Sequence, residues 1–204
     1  MNNKNYEYIN EMQNKSIIQE IKDEVLALNQ KYTDESDDHY DFWEQHIKYV
    51  VDNALNLASE YNADAEIVEL GALLHDIALI AKIGTKKDHH INGAVLAKEL
   101  LIKYEYPQSK ADLVIGCVLT HRTSKNATNI EELCVADADI LAHFDNMEMI
   151  INSTKKRGTN TKDIVNRCND DYNDLSDETK TAFKPQYEAF IIELLKRLED
   201  NHDY

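Results

Sequence analysis

Residues 65–81 read AEIVELGALLHDIALIA. Ile67, Leu70, Leu73, Leu74 and Ile77 recur at helical spacing, after a break at Asn62 and a candidate N-cap at Asp64. Between Leu70 and Leu79 this helix is apolar around most of its circumference, which predicts a place in the core. His75 and Asp76 stand side by side within it and cannot both reach water if the helix is central. Burying a carboxylate without a partner costs several kcal/mol, so the fold must bring a donor, a proton or a cation to it. One solution is a buried His–Asp pair capping neighbouring backbone; the other is a divalent metal ion.

The flanking sequence is helical too. Ile17, Ile18, Ile21, Val25 and Leu28 predict an amphipathic helix behind a polar, frayed start of about fifteen residues, and TDESDD at 33–38 reads as a connecting turn. Trp43, Ile47, Val50, Val51, Ala54, Leu57 and Ala58 form a stripe over about 41–61. KIGTKKDHH at 82–90 breaks the pattern as a loop. Val95, Leu96, Leu100, Leu101 and Tyr104 mark the next helix, and Pro107 stops it or starts the one carrying Leu113, Val114, Cys117, Val118 and His121. The polar stretch 122–129 leads to a helix from about Ile130, Gly158 marks a break, and Phe190 to Leu198 belong to a final helix before a loose EDNHDY tail.

Composition agrees. Five Gly and two Pro in 204 residues are too few for the turns of an all-β protein, so an all-α bundle is expected. The formal charge of −16 opposes binding to a nucleic acid polymer or to an anionic membrane, yet leaves room for one small phosphorylated ligand in a locally neutralised pocket. Cys117, Cys134 and Cys168 form no CxxC pair, which argues against a disulfide framework or thiolate zinc site and fits a cytoplasmic protein. Neither a secretion signal nor a membrane span is expected.

Further His and Asp residues fall on apolar faces. His46 borders the 41–61 stripe, His89-His90 precede a helix, His121 ends one, and ADADIL at 136–141 sets two carboxylates in another. Helices packed on those faces would gather the polar atoms into one centre, as bundle metal sites do. Without thiolates such a centre suits Mn²⁺, Fe²⁺, Mg²⁺, Co²⁺ or Zn²⁺. Asp137 and Asp139 lie about 200° apart on a helix, so only one can face that centre. Spacing aligns Asp137 with Leu133, Leu141 and Phe144, and Asp139 with Val135 and Ala142, leaving the choice open. The one facing away would make an ordinary hydrogen bond to a neighbouring helix end. His39 and His143 read as surface or packing residues.

The order His46, then His75-Asp76 in ALLHDI, then Asp139 in the D-x-L of ADADIL resembles the H…HD…D signature of the HD-domain metal-dependent phosphohydrolase superfamily. HxxxV at His46–Val50, HHxxGA at His89–Ala94 and the segment Ile115–His121 add to the resemblance, which covers about residues 40–150. It implies an HD-domain core at 40–150, with helical extensions at 1–39 and, packed on the core, at 151–204. It implies that His46, His75, Asp76 and Asp139 bind one divalent metal. It also implies that His90 and His121 hold a second metal or the phosphate, and that Asp76 moves a proton to or from a metal-activated water.

The expected activity is hydrolysis of a phosphoester of a nucleotide or other small phosphorylated metabolite. The alternatives are a two-iron HD-fold oxygenase and a non-catalytic nucleotide-binding domain; a homodimer is compatible with either. The sequence departs from the common pattern after the dipeptide, where Ile77-Ala78-Leu79-Ile80 replaces a Gly followed by a basic phosphate contact. Lys82, Lys86, Lys87 and Arg122 are available as substitutes, although each reads more simply as a solvated loop charge.

Overall fold

A computed structural model of the chain describes residues 3–36 and 39–200, and among them there is no β-strand. Ten α-helices follow in order: α1 (Asn3–Glu35), α2 (Lys48–Tyr61), α3 (Ala65–Leu74), α4 (Ile77–Ile80), α5 (His89–Lys103), α6 (Gln108–Thr120), α7 (Ile130–Asp145), α8 (Met147–Arg157), α9 (Thr161–Asp174) and α10 (Asp177–Asp200). The all-α architecture expected from composition is the one found. The frayed start is not: α1 already runs from Asn3. Part of the 33–38 turn and the end of the C-terminal tail, residues 37–38 and 201–204, lie outside the described residues.

Local chemistry sets the helix ends. Asp64 caps α3 by accepting from the Glu66 N–H, and Asn62 ends α2 in the left-handed region with φ 55°. Asn129 caps α7 by accepting from the Glu132 N–H, while Glu132 reaches back to the Thr128 N–H, a reciprocal capping arrangement. Gly158, at φ 63°, separates α8 from α9.

α3 is the central helix, enclosed by α2, α6 and α7, with Val68, Leu70, Ala72 and Leu74 fully buried. A Cβ on Gly71 would lie 2.6 Å from Cys117 Cβ, so the close approach of α6 to α3 needs a residue without a side chain there. The main apolar cluster takes in Ile17, Ile21 and Val25 of α1 and extends to Ala142 on α7. A second cluster joins Ile140 and Phe144 of α7 to Ile151, Ile164, Cys168, Tyr187, Leu194 and Leu198. α7 therefore has a face in each.

Two expected helices are interrupted where they carry polar residues. The segment Trp43–Ile47 forms a π-helical turn that runs into α2, and His46 lies on it, buried. His75 and Asp76 are not inside a continuous helix: α3 ends at Leu74, Asp76 adopts φ −106°, ψ 17°, and α4 restarts at Ile77. The Asp76 carbonyl accepts from the Leu79 and Ile80 N–H groups, so the bend costs few backbone hydrogen bonds. Among the described residues no helix is long and apolar enough to cross a membrane.

Candidate metal centre

Three segments converge. The π-helical turn contributes His46, the α3–α4 bend His75 and Asp76, and α7 Asp139. His46 Nε2 lies 3.0 Å from Asp139 Oδ1, 3.2 Å from His75 Nε2 and 3.9 Å from Asp76 Oδ2. His75 Nε2 lies 3.6 Å from Asp76 Oδ2 and 3.8 Å from Asp139 Oδ1. Two atoms each bound about 2.1 Å from a common ion are about 3–4 Å apart, and these separations fall in that window.

On the other side of the Asp76 carboxylate, His89 Nε2 lies 3.2 Å and His121 Nε2 3.8 Å from Oδ1, and the two Nε2 atoms are 3.0 Å apart. Asp76 thus turns Oδ2 to one pair of histidines and Oδ1 to another. The expectation for His90 is corrected. Its neighbour His89 takes that place, because consecutive residues on α5 diverge by about 100° and only one can face Asp76. His90 is turned toward Arg122 and Thr120 instead, and its Nδ1 is buried without a hydrogen-bond partner. Periodicity does not separate the two: His89 starts a run through Gly93, Ala97 and Leu100, His90 one through Ala94, Ala97 and Leu101, and the later members of both runs are buried.

The protonation pattern fits a cation. Nδ1 of His75, His89 and His121 approaches the carbonyl oxygens of Ala72, Lys86 and Val118 at 2.7, 2.6 and 2.7 Å. A carbonyl only accepts, so each Nδ1 carries the hydrogen, and a ring whose one hydrogen sits there presents a lone pair at Nε2. Lone pairs 3.0 Å apart on His89 and His121 repel unless something positive lies between or beside them. Burial pushes the His121 imidazole down to about 4, so that ring is neutral at ordinary pH. Burial acts to raise the Asp139 carboxyl, but the His46 hydrogen bond and the fields of His75 and His121 outweigh it and hold it well below the usual carboxylate range. Asp76 Oδ1 is buried and accepts no hydrogen bond. An anionic, partly orphaned centre ringed by lone pairs is a donor set able to hold a divalent metal.

The two candidate carboxylates of α7 part company. Asp137, fully buried, accepts from the Ser176 N–H at 2.9 Å, the Ser176 hydroxyl at 2.5 Å and the Thr179 hydroxyl at 2.6 Å, all at the start of α10. Asp139 faces His46. His143, one turn after Asp139, is not a simple surface residue: its ring stacks on His46 at 5.7 Å and its Nδ1 lies 3.2 Å from Asp171 Oδ2.

A cleft of about 600 Å³ opens over the centre. Lys86, Arg122, Arg157 and Arg167 line it, and Tyr32, Tyr40 and Phe42 form an aromatic wall, with Phe42 edge-on to both tyrosines at 5.0 and 4.8 Å. Of the basic residues singled out above, Lys86 and Arg122 reach this cleft, whereas Lys82 pairs with Glu35 at 3.3 Å. Arg157 and Arg167 had no signal in the sequence, because nothing local shows that α8 and α9 fold back over the centre. The three cysteines are buried and free, and burial pushes the Cys168 thiol up to about 11 and that of Cys134 to about 12, so they supply no thiolate.

Comparison with known proteins bears on this centre. A family model described as HD domain matches residues 43–143. Ribonuclease Y of Treponema denticola is 37% identical over 98 residues, which is 48% of this chain and 18% of that protein. The chain thus spans under a fifth of that relative's length. Among solved structures, Bacillus subtilis YpgQ superposes with a TM-score of 0.68 at 18% identity, covering 92% of this chain and 96% of that one. A structure of YpgQ in complex with ADP gives 0.66 at 17% identity. A predicted HD superfamily hydrolase from an uncultured Thermotogales bacterium gives 0.58 at 22% identity, covering 87% and 91%. At these identities the structural matches speak for the fold.

Proposed function

The chain belongs to the HD-domain superfamily through residues 43–143, and on that premise we propose that it is a metal-dependent phosphohydrolase of a nucleotide or other small phosphorylated metabolite. The observation that carries this reading is the convergence of four side chains at the floor of a cationic cleft, where the Nε2 atoms of His46 and His75 lie 3.2 Å apart and 3.0–3.9 Å from the Asp76 and Asp139 carboxylates. In this reading those four residues hold a divalent cation, which supplies Lewis acidity and a water of lowered pKa.

This chain's own residues do the rest. Asp76 Oδ1, without a hydrogen bond, is the atom placed to take a proton from the attacking water. Asp139, held ionised, keeps its charge for ligation throughout the pH range of use. Lys86, Arg122, Arg157 and Arg167 offset phosphate charge in a chain whose formal balance is −16, and the Tyr32, Tyr40 and Phe42 wall receives the organic part. His89 and His121, with Nε2 lone pairs facing Asp76 Oδ1, suit a second ion better than a phosphate, since a lone pair repels phosphate oxygens. The ADP bound to YpgQ supports a small nucleotide ligand. The name of the Ribonuclease Y relative supports phosphodiester chemistry, while the acidic balance here opposes a polynucleotide.

The test is a turnover screen of the metal-free chain reloaded with Mn²⁺, Mg²⁺ or Co²⁺, against nucleoside phosphates, sugar phosphates and an RNA oligomer. Metal-dependent phosphate or pyrophosphate release from a small substrate is expected. Inertness toward every small phosphoester contradicts the reading, and cleavage of RNA alone contradicts its substrate class.

One observation favours a second reading. Because Asp76 divides its two oxygens between two histidine pairs, the site has donors for two ions, as a two-iron oxygenase would need. Two Fe per chain with a mixed-valence signal and no phosphohydrolase activity would favour it.

A further inference from the structure

We infer that His143, oriented by Asp171 of α9, is an additional ligand to the metal held by His46 and Asp139, one that the H…HD…D pattern does not contain. The inference rests on the reading that a divalent cation occupies this centre. It does not depend on which substrate, if any, is hydrolysed.

The geometry is specific. Asp139 and His143 are four residues apart on α7, so their side chains leave the same face of the helix one above the other. Ligand-capable atoms of His46, Asp139 and His143 all lie within 4.8 Å of one another. Two ligands opposite one another across a common ion are about 4.2 Å apart, so a small side-chain adjustment completes the set. His143 Nδ1 is engaged by Asp171 at 3.2 Å, which leaves Nε2 as the free ring nitrogen. A carboxylate bonded to the far nitrogen of an imidazole fixes the ring's orientation and makes the ligating nitrogen more basic. His143 also lines the cleft directly, beside Arg167.

Asp171 lies outside the matched residues 43–143, in a helix that touches α7 and α10. The orientation of this ligand would therefore be set from beyond the HD domain, and α9 would be tied to the metal through His143. A third imidazole beside two carboxylates also fits a choice of Co²⁺, Mn²⁺ or Fe²⁺ over Mg²⁺, which prefers oxygen donors and retained waters.

Co²⁺ titration of the metal-free full chain, followed by its visible absorption, tests this without reference to turnover. His143→Ala should still bind Co²⁺, but about 100-fold more weakly than the unaltered chain, with a changed band intensity as a ligand is lost; Asp171→Asn should shift affinity about 10-fold in the same direction. Far-ultraviolet circular dichroism checks that each variant is folded. Should His143→Ala not fold, His143→Gln and Asp171→Asn read the same two quantities. Variants at 143 and 171 that match the unaltered chain in affinity and spectrum, while His75→Ala abolishes binding, overturn the assignment of His143 alone. If the unaltered chain takes up no Co²⁺, the metal reading falls and this inference with it.

Discussion

Asp137 accepts three hydrogen bonds from the first turn of α10, whereas Asp139, two positions on, faces His46. Replacing each by Ala should separate structure from chemistry. Asp137→Ala strands three donors and should cost about 2–4 kcal/mol of stability, read as a lower melting temperature, with the metal site intact. Asp139→Ala removes a carboxylate that His46, His75 and His121 hold ionised, so it should also lower the melting temperature of the metal-free chain, but unlike Asp137→Ala it should abolish tight metal binding. The reverse pattern would mean that the two roles are exchanged. His46 and His75-Asp76 stood out in the sequence as polar residues on apolar stripes, whereas spacing left Asp137 and Asp139 open and the D-x-L of the family resemblance pointed to Asp139. The choice between His89 and His90 was not legible, since both begin buried runs and only the rotation of α5 against the α3–α4 bend decides between them. His143 was legible only in hindsight, as the residue one turn beyond Asp139.

At the scale of elements, most helices follow from stripes and caps: Asp64 and Asn129 start α3 and α7 where their side chains satisfy backbone N–H groups. The interruptions did not show in the sequence. Nothing in LLHDIAL forbids a continuous helix, because Leu, Ile and Ala all favour one; the bend at Asp76 arises where His75 and Asp76 must turn toward the same centre. α9 was missed for a different reason, since its apolar positions are as sparse as Ile164, Cys168 and Tyr172 in an otherwise polar segment. The packing of α3 on α6 gives a test of its own. Gly71→Ala sets a methyl 2.6 Å from Cys117 Cβ and should destabilise the fold by about 1–3 kcal/mol in denaturant melts. An unchanged midpoint would show that α6 can back away at no cost.

For the whole molecule, acid sensitivity follows from the same centre. The folded-state imidazole of His121 sits near 4 against an ordinary 6.5, so the unfolded chain takes up a proton between those values while the native chain does not. The lowered folded value means that stability is fully present above pH 6.5 and declines as pH falls toward about 4; depressed Asp139 adds a further decline below its ordinary 3.8. The metal-free chain should therefore lose melting temperature as pH falls from 6.5 toward 4, a fall that His121→Gln weakens. A fall confined to pH below 4, identical in the variant, would contradict this.

On the proposed reading, residues from the π-helical turn, the α3–α4 bend and α7 share a metal ion. Elemental analysis of the purified full chain after equilibration with Mn²⁺ or Co²⁺ and exhaustive dialysis reads this directly. At least one tightly held divalent ion per chain is expected, lost on substituting Asp76 or His75 by Ala. A folded chain that retains no metal, or retains it equally without those two side chains, would contradict that reading.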